Sequence, residues 1–337
     1  MDWFERLTGF REGAYDKTRA KLSVDDRRLR SLVNDKSYGI GELELVSLQA
    51  LRERTKSARA LPGQLKVSIV EGDVRKMHQL PENANAMFQV ASQFNLLEMT
   101  GPDVTPEDGV TIYQHDRTQG PACAIAAGAA TIYRNYFAPI GDRHGQTTDR
   151  QFDGLADLGG ALASALHKSI DDLWEMRNGY ALCTRTGLDA IAKHLTALPP
   201  KQIEFLRGKL RIGIHRDIEV TDAAGDQRPL VSQAFCSALP VQYTSVDPSH
   251  WQPFALLVLE AAYEATMWAA VQNAQRGASS VVLLTRLGGG AFGNDESWIH
   301  AAMWRALKMM SNVALDVKLV SYGAPARELQ KMSEAFD

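Results

Sequence analysis

An α/β domain with a mostly parallel or mixed central sheet, covered by helices on both faces, is what this sequence predicts, on three observations. From residue 65 onward, short β-branched runs alternate with amphipathic helical patterns, the order that builds such sheets. The chain is 337 residues long and 45% hydrophobic, ample for a large buried core. A glycine-rich stretch, GGGAFG at 288–293, follows a strand-like run and precedes a helix-like one, where folds of this class hold ligands.

The first sixty residues are charge-dense and partly helical in pattern, with DDRRLRSLV and SLQALRERT as the clearest pieces. They read as an N-terminal helical extension (1–60) packed on a main domain (61–337). Strands are expected at Leu65 to Val70, Ala86 to Ala91, Tyr180 to Thr184, Arg211 to His215, Val231 to Ala238, Ser280 to Thr285 and Leu315 to Ser321. Helices are expected near 120–136, 155–172, 187–197, 200–208, 252–275, 296–311 and 325–335, with Pro121 in a first turn. The most apolar stretch, FALLVLEAAYEATMWAAV, is interrupted by Glu260 and Glu264 four residues apart. That spacing makes it a core helix with a wet stripe, not a membrane span.

Composition narrows the function classes. A formal net charge of −3 argues against a broad basic surface for nucleic acid. Cys123, Cys183 and Cys236 are far apart, so neither a disulfide framework nor a CxxC half-site is available, and a reducing cytoplasm is the expected location. The N-terminus carries charges where a secretory signal needs an apolar run. Eight histidines include no HExxH and no neighbouring cysteine, so no metal and no cofactor is expected.

Glycines 288, 290 and 293 fit the G-x-G-x-x-G spacing of dinucleotide-binding turns. The context is wrong for one. The next strand, LDVKLVSYG, ends without the acid that would hold a ribose, and only fourteen residues follow Gly323. No Lys-Ser or Lys-Thr follows the glycines, so a P-loop fails as well. What survives is a glycine-rich anion loop before a helix capped by Asn294 or Asp295. A second such place is TQGPA, where Gln119 and Gly120 open a helix of small residues. Ahead of it lie Glu98, Asp103, Glu107, Asp108 and Asp116. The acids of GPD and PED-G also suit ordinary turns, and Asp116 a cap or an ion pair with Arg117. Two phosphate-seeking loops with carboxylates between them point to a diphosphate ligand carrying a group on which acids act.

Three motifs resemble the macrodomain superfamily of ADP-ribose-binding modules and ADP-ribosylhydrolases. VSIVEGDVRKM (67–77) is similar to the early strand whose Asp meets the adenine amino group, here Asp73 followed by Val74. FQVASQFNLLEM (88–99) is similar to the strand and loop whose Asn reaches the distal ribose, here Asn95. VVLLTRLGGGAFGN (281–294) is similar to the late strand and loop that wraps the diphosphate, comprising Gly288, Gly289, Gly290, Ala291, Phe292, Gly293 and Asn294, with Phe292 against the distal ribose. Over most of the chain, including WFERLTGFRE and YGIGELEL, the better match is the atypical MavL-like subgroup of arginine-specific ADP-ribosylhydrolases.

The resemblance implies a three-layer α/β/α macrodomain-like fold with a mixed sheet, in which 138–175 is an insertion. It implies a hydrolase that removes ADP-ribose from modified proteins, most of all at arginine, by carboxylate-assisted cleavage of the N-glycosidic bond. Asp103, Asp108 and Asp116 are its candidate catalysts. The chain departs from the wider family in two ways: the consecutive glycines after the Asn are absent, and so is the Gly-Gly-Gly with Gln-Glu-Glu signature of poly(ADP-ribose) glycohydrolases. A non-catalytic ADP-ribose reader and a hydrolase of a free nucleotide-diphosphate metabolite are the competing readings.

Overall fold

The β-branched runs become strands of one sheet in the computed structural model, which describes residues 1–56, 61–225 and 227–336. The chain opens with helices α1 (Trp3–Thr8) and α2 (Tyr15–Arg19) and a small antiparallel sheet of β1 (Leu22–Asp25), β2 (Arg28–Ser31) and β3 (Ser37–Gly39). Next come β4 (Glu42–Ser47), α3 (Leu48–Lys56), β5 (Lys66–Glu71), the short α4 (Val74–Met77) and β6 (Met87–Ala91). Helices α5 (Gln119–Ala126) and α6 (Gly128–Tyr136) lead to a hairpin of β7 (Pro139–Ile140) and β8 (Arg143–His144), then to α7 (Ala156–Leu166). A second hairpin, β9 (Trp174–Arg177) with β10 (Tyr180–Cys183), precedes α8 (Arg185–Ala197) and α9 (Pro200–Lys209). The last third holds β11 (Arg211–Glu219), β12 (Leu230–Cys236), α10 (Gln252–Gln275), β13 (Val281–Leu284), α11 (Glu296–Met309), β14 (Asp316–Ser321) and α12 (Arg327–Glu334).

The central sheet has seven strands in the order β4-β11-β12-β6-β13-β14-β5. The run from β12 to β5 is parallel, whereas β11 is antiparallel to both of its neighbours, so the sheet is mixed. Side chains alternate across it with the period of two that a pleated strand imposes. Val282 and Leu284 of β13 enter the core shared with α10, α3 and α11, while Leu283 enters the opposite core with Cys123 of α5 and Ala130 of α6. The outcome is the α/β fold with three layers and a mixed sheet that was expected.

Several boundaries differ from the sequence reading. The first sixty residues are not a uniform extension: β4 and α3 belong to the central sheet and its core, and the separate piece, residues 1–40, has as many residues in strands as in helices. The helix expected at 120–136 breaks at Ala127, whose φ of −114° and ψ of 56° are not helical. The Thr131 hydroxyl there donates to the Ala124 carbonyl (2.7 Å), taking up an acceptor the break would orphan. The strand expected over Tyr180 to Thr184 is present as Tyr180–Cys183, but it pairs with β9 outside the central sheet. The helix expected over 155–172 ends at Leu166, where His167 turns left-handed at φ 53°.

The stripe on α10 is not wet. Glu264 is 1% exposed and accepts from Arg52 (2.5 and 2.8 Å) and Arg305 (2.6 Å). Glu204 bridges those arginines and Arg207, which also pairs with Glu260. By length and composition α10 could cross a membrane, but it is mostly buried between α3, α9, α11 and the sheet.

Residues 1–40 are tied to the main domain by a carboxylate. Glu12 accepts from the backbone N–H groups of Val110 (2.9 Å) and Thr111 (2.6 Å) and from the Tyr136 hydroxyl (2.8 Å). Those bonds fix the start of a 3-10 turn, Thr111–His115, whose far end is Asp116.

Candidate functional site

Five parallel strands end on one edge of the molecule, and the loops beyond their carboxyl ends enclose a groove, the position such sheets reserve for ligands. It consists of two connected cavities. The first, about 670 Å³ with its open mouth, is lined by Ala91 and Ser92 after β6, by Glu98, Asp116 and Gly120, and by the loop after β13. The second, about 1170 Å³, is lined by Gly72, Asp73 and Val74 after β5, by Arg117 and His300, and by Ser321 and Tyr322 at the end of β14. Both are lined by Thr118, Gln119, Arg286 and Gly290, which therefore form the waist of one continuous groove.

Local sequence explains how the waist is built. Gly120 lets the start of α5 lie against β6, because a Cβ there would overlap the Ala91 carbonyl oxygen. The Gln119 amide clasps the strand: its Oε1 accepts from the Ala91 N–H (2.8 Å) and its Nε2 donates to the Gln89 carbonyl (2.9 Å). On the other side, Gly288 and Gly293 adopt φ of 77° and 68°, which turns the loop back on itself. Asn294 closes it, donating from Nδ2 to the Leu239 carbonyl (2.8 Å) and from its backbone N–H to the Gly288 carbonyl (2.9 Å). The cap of α11 is Asp295, which accepts from the Ser297 N–H (2.8 Å).

Of the residues singled out in the sequence, Asp73, Val74, Asp116, Gln119, Gly120, Gly288, Gly290, Ala291 and Phe292 line the groove. Gly289, Gly293 and Asn294 do not; they shape the loop behind it. Asp73 also caps α4, accepting from the Arg75 N–H (2.9 Å). Phe292 packs against Tyr180 and Tyr243 at centroid distances of 5.3 and 5.6 Å, forming an aromatic wall at the end remote from Asp73. Tyr180 reaches that wall from the β9–β10 hairpin, its hydroxyl donating to the Met99 carbonyl (2.7 Å).

The three catalytic candidates do not gather. Asp116 lines the first cavity and accepts from the Thr118 N–H (2.7 Å). Asp108 is exposed and spent on a capping box, its Oδ2 accepting from the Thr105 N–H (2.8 Å) and hydroxyl (3.0 Å). Asp103 has a side chain 85% exposed and pairs with Arg177 (3.1 Å). Neither lines the groove, so direct contact with a bound ligand is corrected for both. Asn95 is corrected too: it is buried, its Oδ1 accepts from the Leu97 N–H (3.1 Å) and its Nδ2 donates to Gln151 (2.8 Å), and it lines neither cavity.

The carboxyl that the sequence reading left unassigned is Glu98. It lines the first cavity, is 1% exposed, and pairs with the fully buried Arg134 at 3.3 and 3.4 Å. Burial pushes its pKa up to about 7, against which Arg134 offsets only part. Arg134 also donates from Nε to the Leu96 carbonyl (3.0 Å) and lies 3.9 Å over the Phe235 ring, while its Nη1 has no partner among the described residues. One signal was available: Glu98 is flanked by Leu96, Leu97 and Met99, an acid inside an apolar run. Among the described residues no group of three or more His, Cys, Asp or Glu side chains is placed to hold a metal ion.

No family model matches this chain, and no curated protein matches it. Among solved structures the chain is similar to poly(ADP-ribose) glycohydrolase from Deinococcus radiodurans in complex with ADP-ribose, at 12% identity over 86% of this chain and 95% of that one, with a TM-score of 0.46. It is similar also to the poly(ADP-ribose) glycohydrolase from Thermomonospora curvata, at 11% identity over 95% of this chain and 94% of that one, with a TM-score of 0.43. Likeness at these values assigns this chain neither a family nor an activity.

Proposed function

We propose that this protein is an ADP-ribosylhydrolase that lays ADP-ribose along the groove and releases it from modified protein side chains, arginine first among them. The observation that carries the reading is the waist. A helix start and a glycine loop face each other across it, suited to a diphosphate, with room on one side for a base beside Asp73 and on the other for a ribose beside Phe292. The motif resemblance at 67–77 and 281–294 points the same way.

In this reading, two carboxyl groups of unlike surroundings divide the chemistry. Water attacks C1 of the distal ribose and gives its proton to Asp116. The C1–N bond breaks, its electron pair stays on the guanidine nitrogen, and that nitrogen takes a proton from Glu98, which burial keeps partly protonated near neutral pH. Both groups return to their starting states by exchange with solvent. Calorimetry with ADP-ribose and release of ADP-ribose from a modified arginine peptide test the two halves. Asp116→Ala is expected to bind and to turn over about 10²- to 10⁴-fold more slowly; turnover at the wild-type rate sinks the assignment. The exposure of Asp103 and Asp108 favours a second reading, a non-catalytic reader, which stands if the wild type binds ADP-ribose and releases none.

A further inference from the structure

The two carboxyl groups given the chemistry above stand on different segments of chain. Glu98 lies in the loop after β6, and Asp116 closes the 3-10 turn Thr111–His115. Around Glu98 the backbone belongs to no strand, and three successive N–H groups rest on side chains instead. Leu97 donates to Asn95 Oδ1 (3.1 Å), Glu98 to the Tyr113 hydroxyl (3.3 Å) and Met99 to Gln93 Oε1 (2.5 Å). Asn95 and Gln93 belong to that same loop. Tyr113 does not, and its other end is tied to the second carboxylate: its carbonyl accepts from the Asp116 N–H (3.1 Å). One residue thus bonds the backbone of both groups. A tyrosine is a stiff link, because its side chain turns about two torsions only. Its ring is fully buried, in the core that Trp3, Phe4 and Leu7 share with Ile125 of α5. Tyr113 lines neither cavity of the groove, so any effect it has on the reaction passes through the carboxylates it holds.

We propose that Tyr113 is a positioning residue for the hydrolysis, a strut whose hydroxyl and carbonyl set the spacing between Glu98 and Asp116; the inference rests on the function proposed above. The separation of a paired acid and base governs how they address a glycosidic carbon, and a misplacement of about 1 Å can cost about 10²-fold in rate. Tyr113→Phe removes the hydroxyl and leaves the ring in its core. Release of ADP-ribose from a modified arginine peptide by the full chain is expected to show kcat lowered about 10- to 10²-fold, with KM and calorimetric ADP-ribose affinity within about twofold of the wild type. In a Glu98→Gln background the same change is expected to cost less than about twofold more, since no acid is left to place. Tyr38→Phe is the control: it also strips a buried hydroxyl from this core, one that bonds the Leu7 carbonyl (3.2 Å), and is expected to keep the wild-type kcat. A Tyr113→Phe protein with the wild-type kcat overturns the proposal and leaves the hydrolase reading standing. So does a full loss in the Glu98→Gln background, or an equal loss in Tyr38→Phe, either of which marks a general weakening of the fold. A wild type that releases no ADP-ribose overturns the hydrolase reading and the role of Tyr113 together.

Discussion

Glu98 and Glu264 are both 1% exposed and both face guanidinium groups, yet their surroundings drive them in opposite directions. Glu264 lies on the helix behind the sheet, bonded at 2.5 to 2.8 Å by two arginines that Glu204 bridges in turn. Burial pushes its pKa up, but the bonds from Arg52 and Arg305 outweigh that and hold it below the ordinary carboxylate range. Glu98 lies at the groove with one arginine, at 3.3 and 3.4 Å, and burial prevails. A buried ion pair contributes to stability only when its geometry repays desolvation. The network behind the sheet meets that condition. The pair at the groove does not, and it holds a carboxyl near the neutral range, where proton transfer works best.

The comparison can be broken at either end. The largest expected effect is on stability: Glu264→Gln leaves Arg52 and Arg305 short of an acceptor and is expected to cost about 3 to 5 kcal/mol in urea unfolding at any pH above 5 or so. A cost below about 1 kcal/mol would show that the network is ornamental. Glu98→Gln is expected to lower turnover about 10²-fold while ADP-ribose affinity stays within about twofold, and to abolish the limb of the pH-rate profile near 7. Its effect on stability sharpens the contrast. A carboxyl whose folded pKa is about 7 against 4.5 unfolded keeps a proton that the unfolded chain has released, so its contribution is full below 4.5 and is lost as pH rises toward 7. Stability of the wild type should therefore fall through that window more steeply than that of Glu98→Gln; parallel curves would place the Glu98 carboxyl in ordinary solvent. The smallest effect is expected at Asp108→Ala, about 1 kcal/mol for the lost capping box and no change in turnover.

Much of the fold could be read from residue order, because parallel strands buried on both faces need runs such as VVLL at 281–284, and such runs resemble little else. The strand β4, ELELVS, escaped notice because it lies on the sheet edge, where charge on alternate residues is tolerated and protects against pairing with another chain. The burial of Glu264 was illegible for a different reason: its partners, Arg52 and Arg305, are 212 and 41 residues away. Groove-lining residues such as Gly120 and Gly288 were legible because glycine spacing records where a chain must turn or approach. Asp103 and Asp108 misled because residue type and proximity in sequence to Asp116 say nothing of which way a turn points. Glu98 shows the reverse case, where four apolar neighbours in FNLLEM were better evidence of a place on the groove than the acids around it.

The three bonds accepted by Glu12 bear on how the protein could be shortened. A fragment beginning after residue 40 would retain every strand of the central sheet and every residue that lines the groove. It would lose the acceptor for the N–H groups of Val110 and Thr111, and with it the hold on the turn that ends at Asp116. On the proposed function, such a fragment would keep the groove while the Asp116 carboxylate sampled many orientations, so that ADP-ribose binding would be preserved and turnover lowered. The first forty residues thus hold a turn beside the groove, and a domain boundary drawn by strand count alone would cut those bonds away.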